Sequence, residues 1–396
     1  MRSLIILRGL VKQNKLSWVK REGLWNFFID IDCIKRLFYR PDYKGSREFL
    51  TRSYDDVVYR VFMQSLCSHL STGCLVVVDS ENESLTTIED LAIIFGYHVF
   101  YHVESTPNDY VGKNRKYCTH QYLVPTRDTL AKQKLEFENW DSSDKTLIST
   151  YQDIIHYWGP LHPIKVTGDV LVVGDIHSNY KILTSQCPEP SDYEMTVFLG
   201  DYIDGPEVGG SRKMLEMIFQ CTNPSILFLE GNHELRLRKW LGSLLMKNKN
   251  KKILEDLLKS DINPEFLETT SKEFIGADII KTLTYLNEKL REFVIYQRGD
   301  TTYYLSHAGI RWIDQLSPKF VGNLIYSNKN PNKTDREFSN QYYYEGFVSI
   351  HGHCKYPEGL NFSKYNGVYN IDTENDSVVN YLINFKDGGI KTCTLK

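Results

Sequence analysis

Two α/β domains in tandem are what this sequence predicts, and three observations predict them. The chain has 396 residues, more than one ordinary hydrophobic core accommodates. Short apolar runs alternate with amphipathic helical segments in two successive series, the arrangement of sheets with helices on their faces. In the second series, polar residues of metal-ligating type fall just past the ends of the apolar runs. That is where open α/β sheets place their ligands.

In the first series, Leu4–Leu7, Asn26–Ile31, Cys74–Asp79 and Tyr97–Val103 read as buried strands. Helical periodicity over Val57–Leu70 and Thr87–Phe95 separates them, which predicts a parallel sheet across residues 1–125. Residues 126–160 are polar and helical in pattern (LAKQKLEFENW, then KTLISTYQDIIHYW) and read as a helical bridge ending at Trp158-Gly159-Pro160. The second series fills residues 161–396: Val170–Val173, Met195–Leu199, Ser225–Leu229, Thr302–Leu305, Val348–His351 and Gly367–Ile371. A lysine-rich helical stretch, about 240–293, interrupts it as an insertion. The KNKNKK run at Lys247–Lys252 inside that stretch reads as a solvated helix end.

Composition narrows the function. Hydrophobic residues at 41% and charged residues at 24% describe a globular chain. The net charge of −3 gives no global field for nucleic acid, so such a ligand needs a local patch. No apolar run approaches the roughly 20 residues that span a bilayer, so no membrane partner is expected. The eight cysteines include no CxxC pair, which argues against a zinc ribbon or a disulfide framework and fits a cytoplasmic protein.

Five short motifs follow the strands of the second series: Gly174-Asp175-Ile176-His177, Gly200-Asp201-Tyr202-Ile203-Asp204, Gly231-Asn232-His233-Glu234, Ser306-His307-Ala308-Gly309 and Gly352-His353. Such a mixture of oxygen and imidazole ligands suits Mn²⁺, Fe²⁺ or Zn²⁺. Two ions about 3.5–4 Å apart can clamp an in-line displacement at phosphorus and activate a water, so no protein nucleophile is needed. Asp201 stands between two otherwise complete ligand sets and is the natural shared carboxylate.

In these motifs the sequence resembles the calcineurin-like metallophosphoesterases, over the whole second domain. The resemblance implies an α/β sandwich and a pair of divalent metal ions, with manganese expected and iron, zinc or nickel compatible. It implies that Asp175, His177 and Asp201 hold one metal, and that Asp201, Asn232, His307 and His353 hold the other. His233 would be the general acid, oriented by Asp204. Ile371-Asp372-Thr373 matches the closing motif of the family. His351, two residues before His353, reads as a supporting residue rather than a ligand. Two arginines common in the protein-phosphatase and end-healing branches are absent, Gly205 and Glu230 standing in their places. Arg212, Arg236 and Arg238 are nearby substitutes, and Arg236 with Asn232 is the preferred phosphate contact. Lys355 stands two residues after His353, which favours the protein-phosphatase-like branch over those with GHxH.

The first domain resembles the kinase module of polynucleotide kinases. Gly9, Lys15 and Ser17 follow the first strand with the outline of a phosphate loop, but Lys12, Asn14 and Leu16 occupy positions that motif gives to glycine or a hydroxyl. Asp32 after the second strand would be the base, Asp79 ends a Walker B-like strand, and Arg115 would be a lid residue. The missing glycines imply a decayed nucleotide site, a scaffold or docking domain rather than an ATP- and Mg²⁺-dependent kinase. A kinase-like module ahead of a binuclear phosphatase is similar to end-healing proteins of RNA repair. The expected function is therefore hydrolysis of a phosphomonoester or 2′,3′-cyclic phosphate at RNA or DNA ends. Phosphoprotein or dinucleoside polyphosphate hydrolysis are alternatives on the same site. So is a weakly active metal-binding regulatory or nucleic-acid-binding protein.

Overall fold

The computed structural model describes residues 2–9, 12–31, 33–34, 47–79, 85–104, 134–135, 137, 140–158, 162–260, 262–309, 347–353, 363–365, 367–372 and 378–396. Met1–Pro160 and Leu161–Lys396 form two compact units.

Strand β1 (Ser3–Arg8) is the centre of the first unit. It pairs in parallel with β3 (Val76–Asp79) on one side and β4 (His98–Val103) on the other. β2 (Phe28–Ile29) and β5 (Thr146–Ile148) complete an all-parallel sheet in the order β2-β3-β1-β4-β5. Leu4 to Leu7 and Val76 to Val78 are fully buried on both faces, which explains why these strands read as continuous apolar runs. The Leu85–Phe95 helix covers one face with Ile88, Leu91, Ala92 and Phe95.

Two expectations change here. The Asn26–Ile31 strand contracts to β2, because Trp25–Phe27 form a 3-10 turn. The stretch expected as a helical bridge belongs to the first unit. Its TLI segment is the edge strand β5, and Ile148, Tyr151 and Ile154 enter the same core as Trp18, Val77 and Phe100. The Tyr151–Trp158 helix is tied down by Trp158 Nε1 donating to Ser3 Oγ at 2.9 Å and by the Tyr151 amide donating to Glu22 at 3.0 Å. Three β-propensive residues before the helix suffice for a strand once a sheet edge offers partners.

Among the described residues the second unit has two six-stranded sheets. One runs β10 (Leu290–Arg291), β9 (Ile226–Leu229), β8 (Met195–Phe198), β7 (Val170–Val173), β16 (Val379–Asn384), β17 (Ile390–Leu395). The other runs β14 (Ser363–Tyr365), β15 (Val368–Asn370), β13 (Phe347–His351), β12 (Thr301–Ser306), β11 (Phe293–Arg298), β6 (Ile164–Lys165). Side chains alternate across a strand, so Val170, Val172, Val197, Leu227 and Leu229 point from the first sheet into one core. Val294, Tyr296, Tyr303, Leu305 and Ile350 meet them from the second. The β16–β17 hairpin was not read from the sequence, although Asp387-Gly388 supplies its turn.

Between β9 and β10 lie five helices, Asn232–Asn248, Lys252–Lys259, Pro264–Glu268, Thr270–Glu273 and Ile279–Lys289. The interruption is thus helical as expected. It begins within the third motif, at Asn232, and the sheet resumes at Leu290.

Candidate metal centre

Each motif leaves the carboxyl end of its strand: Asp175 after β7, Asp201 after β8, Asn232 after β9, His307 after β12 and His353 after β13. β7, β8 and β9 are parallel to one another, as are β12 and β13, so each set of neighbouring loops emerges on one edge of its sheet. The connecting loops are forced into rare backbone. His177, Ser178, Asp201, Asp204 and His353 all have φ between 46° and 66°. Non-glycine residues held there cost on the order of 1–3 kcal/mol each and need surrounding structure to keep them.

That structure is present. Glu234 takes three backbone amides at once, those of Asp201 (3.0 Å), Tyr202 (2.8 Å) and Gly231 (3.0 Å). Ser178 Oγ lies 2.7 Å from Ser211 Oγ and accepts the Gly205 amide at 3.1 Å. The sequence reading gave no role to Glu234, Ser178 or Ser211.

The side chains converge on Asp201. One cluster joins it to His177 and His233, another joins it to His307 and His353, and a third gathers Asp175, His177 and Asp372. Within each, one ligand atom per residue lies inside 4.8 Å of the others. His307 Nε2 is 3.4 Å from Asp201 Oδ1 and 3.0 Å from Asn232 Oδ1, and its Nδ1 faces the Leu199 carbonyl at 3.1 Å. All six expected ligands therefore meet in one place. Asp372 joins them, which the closing motif alone signalled. His351 belongs to none of the clusters, and its Nδ1 faces the Gly352 carbonyl at 3.0 Å.

The donor set fits divalent cations. Asp175 and Asp201 are 1% and 2% exposed, and Asp175 Oδ1 has no hydrogen-bond donor. Burial, with the Asp372 carboxylate adding to it, pushes the Asp175 carboxyl well above its ordinary range. Burial opposes ionisation of Asp201 too, but His233 and His307 outweigh it and hold this carboxyl well below its ordinary range. In return burial lowers His307 while Asp201 and Asp175 raise it, with a balance at about 10. Buried carboxylates compensated by histidine rings and one backbone amide each form a site that positive ions would satisfy better.

Beside the clusters, His233 Nδ1 lies 3.0 Å from Asp204 Oδ2, and His233 Nε2 lies 3.6 Å from Asp201 Oδ2. Arg236 Nη1 bonds the same Asp204 oxygen and stands 3.3 Å from His233 Nδ1. Of the three arginines considered, only Arg236 reaches this pair. Arg212 binds Glu216 on the surface, and Arg238 is buried against Glu230 and Asn287. Glu230 is thus the partner of a structural arginine. Gly205 also has a structural cause: a Cβ there would lie 1.6 Å from the His177 carbonyl oxygen.

Of the expected nucleotide site in the first unit, Lys15 and Ser17 lie among the described residues. The helix after β1 already begins at Lys12, so residues 12–14, where a phosphate loop would lie open, are helical. Lys15 is fully buried and donates to Asp79 Oδ1 at 2.7 Å, whereas Ser17 is exposed. Gly9 has φ +143°, and a Cβ on it would meet Glu104 Cβ at 2.9 Å, which explains the glycine without any phosphate. Asp32 and Arg115 lie outside the described residues.

Two stacked sheets with an acid–histidine cluster at the loop ends define a metal-dependent hydrolase centre. The calcineurin-like phosphoesterase family model matches residues 168–383, and the chain belongs to that family. Its members hydrolyse phosphoesters with a pair of divalent metal ions. Among solved structures, a metallophosphoesterase from Sphaerobacter thermophilus is similar at 16% identity, covering 58% of this chain and 89% of its own, with a TM-score of 0.35. A cold-active protein tyrosine phosphatase is similar at 16% identity, covering 59% and 80%, with a TM-score of 0.32. No curated protein matches the sequence. Among the described residues no helix is long and apolar enough to cross a membrane.

Proposed function

We propose that this chain is a phosphomonoesterase or 2′,3′-cyclic phosphodiesterase acting at nucleic-acid ends. The observation that carries the chemistry is Asp201, the one side chain common to the His177/His233 and His307/His353 clusters. Asp175, His177 and Asp201 would hold one cation, and Asp201, Asn232, His307 and His353 the other, with Asp372 supporting Asp175. When bound, two such cations neutralise the phosphoryl oxygens and supply an acidified water.

His233 acts as the general acid. Burial works against its protonated ring, but Asp201 and the hydrogen bond to Asp204 outweigh this and raise it above its ordinary range. With Nδ1–H directed at Asp204, Nε2 is the atom that delivers a proton to the leaving oxygen as the P–O bond breaks. Arg236, anchored on Asp204 through Nη1, places its remaining N–H groups for a phosphoryl oxygen, with the Asn232 side chain as second contact. The choice of nucleic-acid ends rests on the kinase-like outline of the first unit, whose strand order β2-β3-β1-β4-β5 is fully parallel. With Lys15 buried on Asp79, that unit is a docking or scaffold element in this proposal, not a phosphotransferase.

The test is a substrate panel with the purified, Mn²⁺-loaded chain: p-nitrophenyl phosphate, 2′,3′-cyclic AMP, 3′-phosphorylated RNA, a phosphopeptide and diadenosine tetraphosphate. Turnover of the RNA end and the cyclic nucleotide is expected. Preference for the phosphopeptide or the dinucleotide would reassign the substrate, and no hydrolysis with metal bound would remove the enzyme reading altogether.

A further inference from the structure

Asp204 carries the His233 ring, and its own backbone lies in the left-handed region, φ +66°, which is costly for a residue with a Cβ. One of its holders comes from far along the chain. Thr270 Oγ1 donates to Asp204 Oδ1 at 2.7 Å across 66 residues of sequence, leaving Oδ2 to His233 and Arg236. Thr270 is 3% exposed and lies in the helical insertion. It is the first residue of the Thr270–Glu273 turn, but its hydroxyl bonds outward to the loop, where a mere helix cap would bond its own turn.

A second contact from the same turn reaches the same loop. Glu273 accepts the Gly209 amide on Oε1 at 3.0 Å and the Arg212 amide on Oε2 at 2.9 Å, gripping the start of the Gly210–Gln220 helix. From the neighbouring Pro264–Glu268 helix, the Phe266 ring lies 5.9 Å from the Arg236 guanidinium carbon. The Thr270–Glu273 turn therefore holds both Asp204 and the Gly209–Arg212 backbone, while Phe266 packs beside the arginine that shares Asp204.

We propose that Thr270, far along the insertion from His233, is the positioning residue that fixes Asp204 and, through it, the His233 ring. This rests on the phosphoesterase reading above and on His233 as proton donor. A donor to Oδ1 fixes the plane of the carboxylate, so that Oδ2 faces Nδ1 and Nε2 faces the leaving oxygen. A hydrogen bond to a charged group contributes more than a neutral one, and misplacement of an acid affects only steps that need its proton. Loss of Thr270 should thus depend on the leaving group. An alkoxide needs the proton as the P–O bond breaks, and p-nitrophenolate leaves without it.

The experiment compares wild type, Thr270→Val and Thr270→Ser on glycerol 2-phosphate and on p-nitrophenyl phosphate, with bound metal and thermal midpoint measured for each. Thr270→Val is expected to lower kcat on the alkyl ester about tenfold, with less than about threefold change on the aryl ester. Thr270→Ser, which keeps the hydroxyl, should restore the alkyl rate. An equal loss on both esters, or a valine variant indistinguishable from wild type, overturns the inference and leaves the phosphoesterase reading intact. Wild-type protein inert on both esters with metal bound overturns that reading and this inference with it.

Discussion

At the scale of single residues the centre depends on Asp201 and His233, which fail in different ways. Asp201 belongs to two of the three clusters, one on each side of it, and its carboxylate is held ionised by the surrounding histidines. Asp201→Ala should therefore release both metals and abolish turnover, as metal analysis beside a rate measurement will show. His233→Ala removes a ring that neighbours His177 and Asp201 but belongs to neither proposed ligand set, so metal should stay while kcat on an alkyl ester falls about 10²–10⁴-fold. Full activity of that variant on a poor leaving group would exclude it as the acid. These residues were legible in the sequence because strand ends impose short spacings, with Asp175 and His177 two apart and Asn232 and His233 adjacent. Thr270 was not legible: it carries no motif and meets Asp204 only because the insertion folds back. Nor could spacing show that Arg238 would be taken up by Glu230 and Asn287 while Arg236 reached Asp204.

At the scale of elements the loops matter more than the strands. Six of the twelve described strands of the second unit, those that lead into the motifs and Asp372, were readable as apolar runs such as Val170–Val173, whereas β11, β14, β16 and β17 were not. β6 and β10 escaped notice because two residues carry no periodicity, and β5 because its strand is only three residues beside a helix. Loop backbone explains one departure from relatives that carry arginine in this motif. At Gly205 a Cβ would lie 1.6 Å from the His177 carbonyl oxygen, so the backbone here has closed over the place where a side chain would emerge. Gly205→Arg should not restore a phosphate clamp. It should displace the His177 loop and cost about 3 kcal/mol or more, the upper range of overpacking. A lowered melting temperature together with weakened Mn²⁺ binding is the expected result, and a stable variant with improved KM would show that the loop yields freely.

At the scale of the molecule, the candidate metal ligands among the described residues all lie in Leu161–Lys396, and the first unit has its own core. Its parallel sheet followed from apolar runs, but a lysine six residues after a glycine says nothing about where a helix begins, and here the helix already runs from Lys12. Lys15 and Asp79 are 0% and 1% exposed and 2.7 Å apart, joining the first helix to the end of β3. A buried pair of this kind contributes little net stability as a pair, since desolvation offsets attraction, but removing one partner strands a charge and costs about 3–5 kcal/mol. Lys15→Met should destabilise the first unit by that amount in urea, with metal content in the second unit unchanged. Lys15→Met/Asp79→Leu should recover part of the loss, since the carboxylate that lost its lysine is gone. ATP with Mg²⁺ separates this staple from a nucleotide lysine. A ligand at 100 times its Kd stabilises by about 2.7 kcal/mol, so a wild-type protein whose unfolding midpoint is indifferent to millimolar ATP holds Lys15 as a structural cation. A midpoint that rises with ATP in wild type and stays still in the double variant would return the lysine to phosphate.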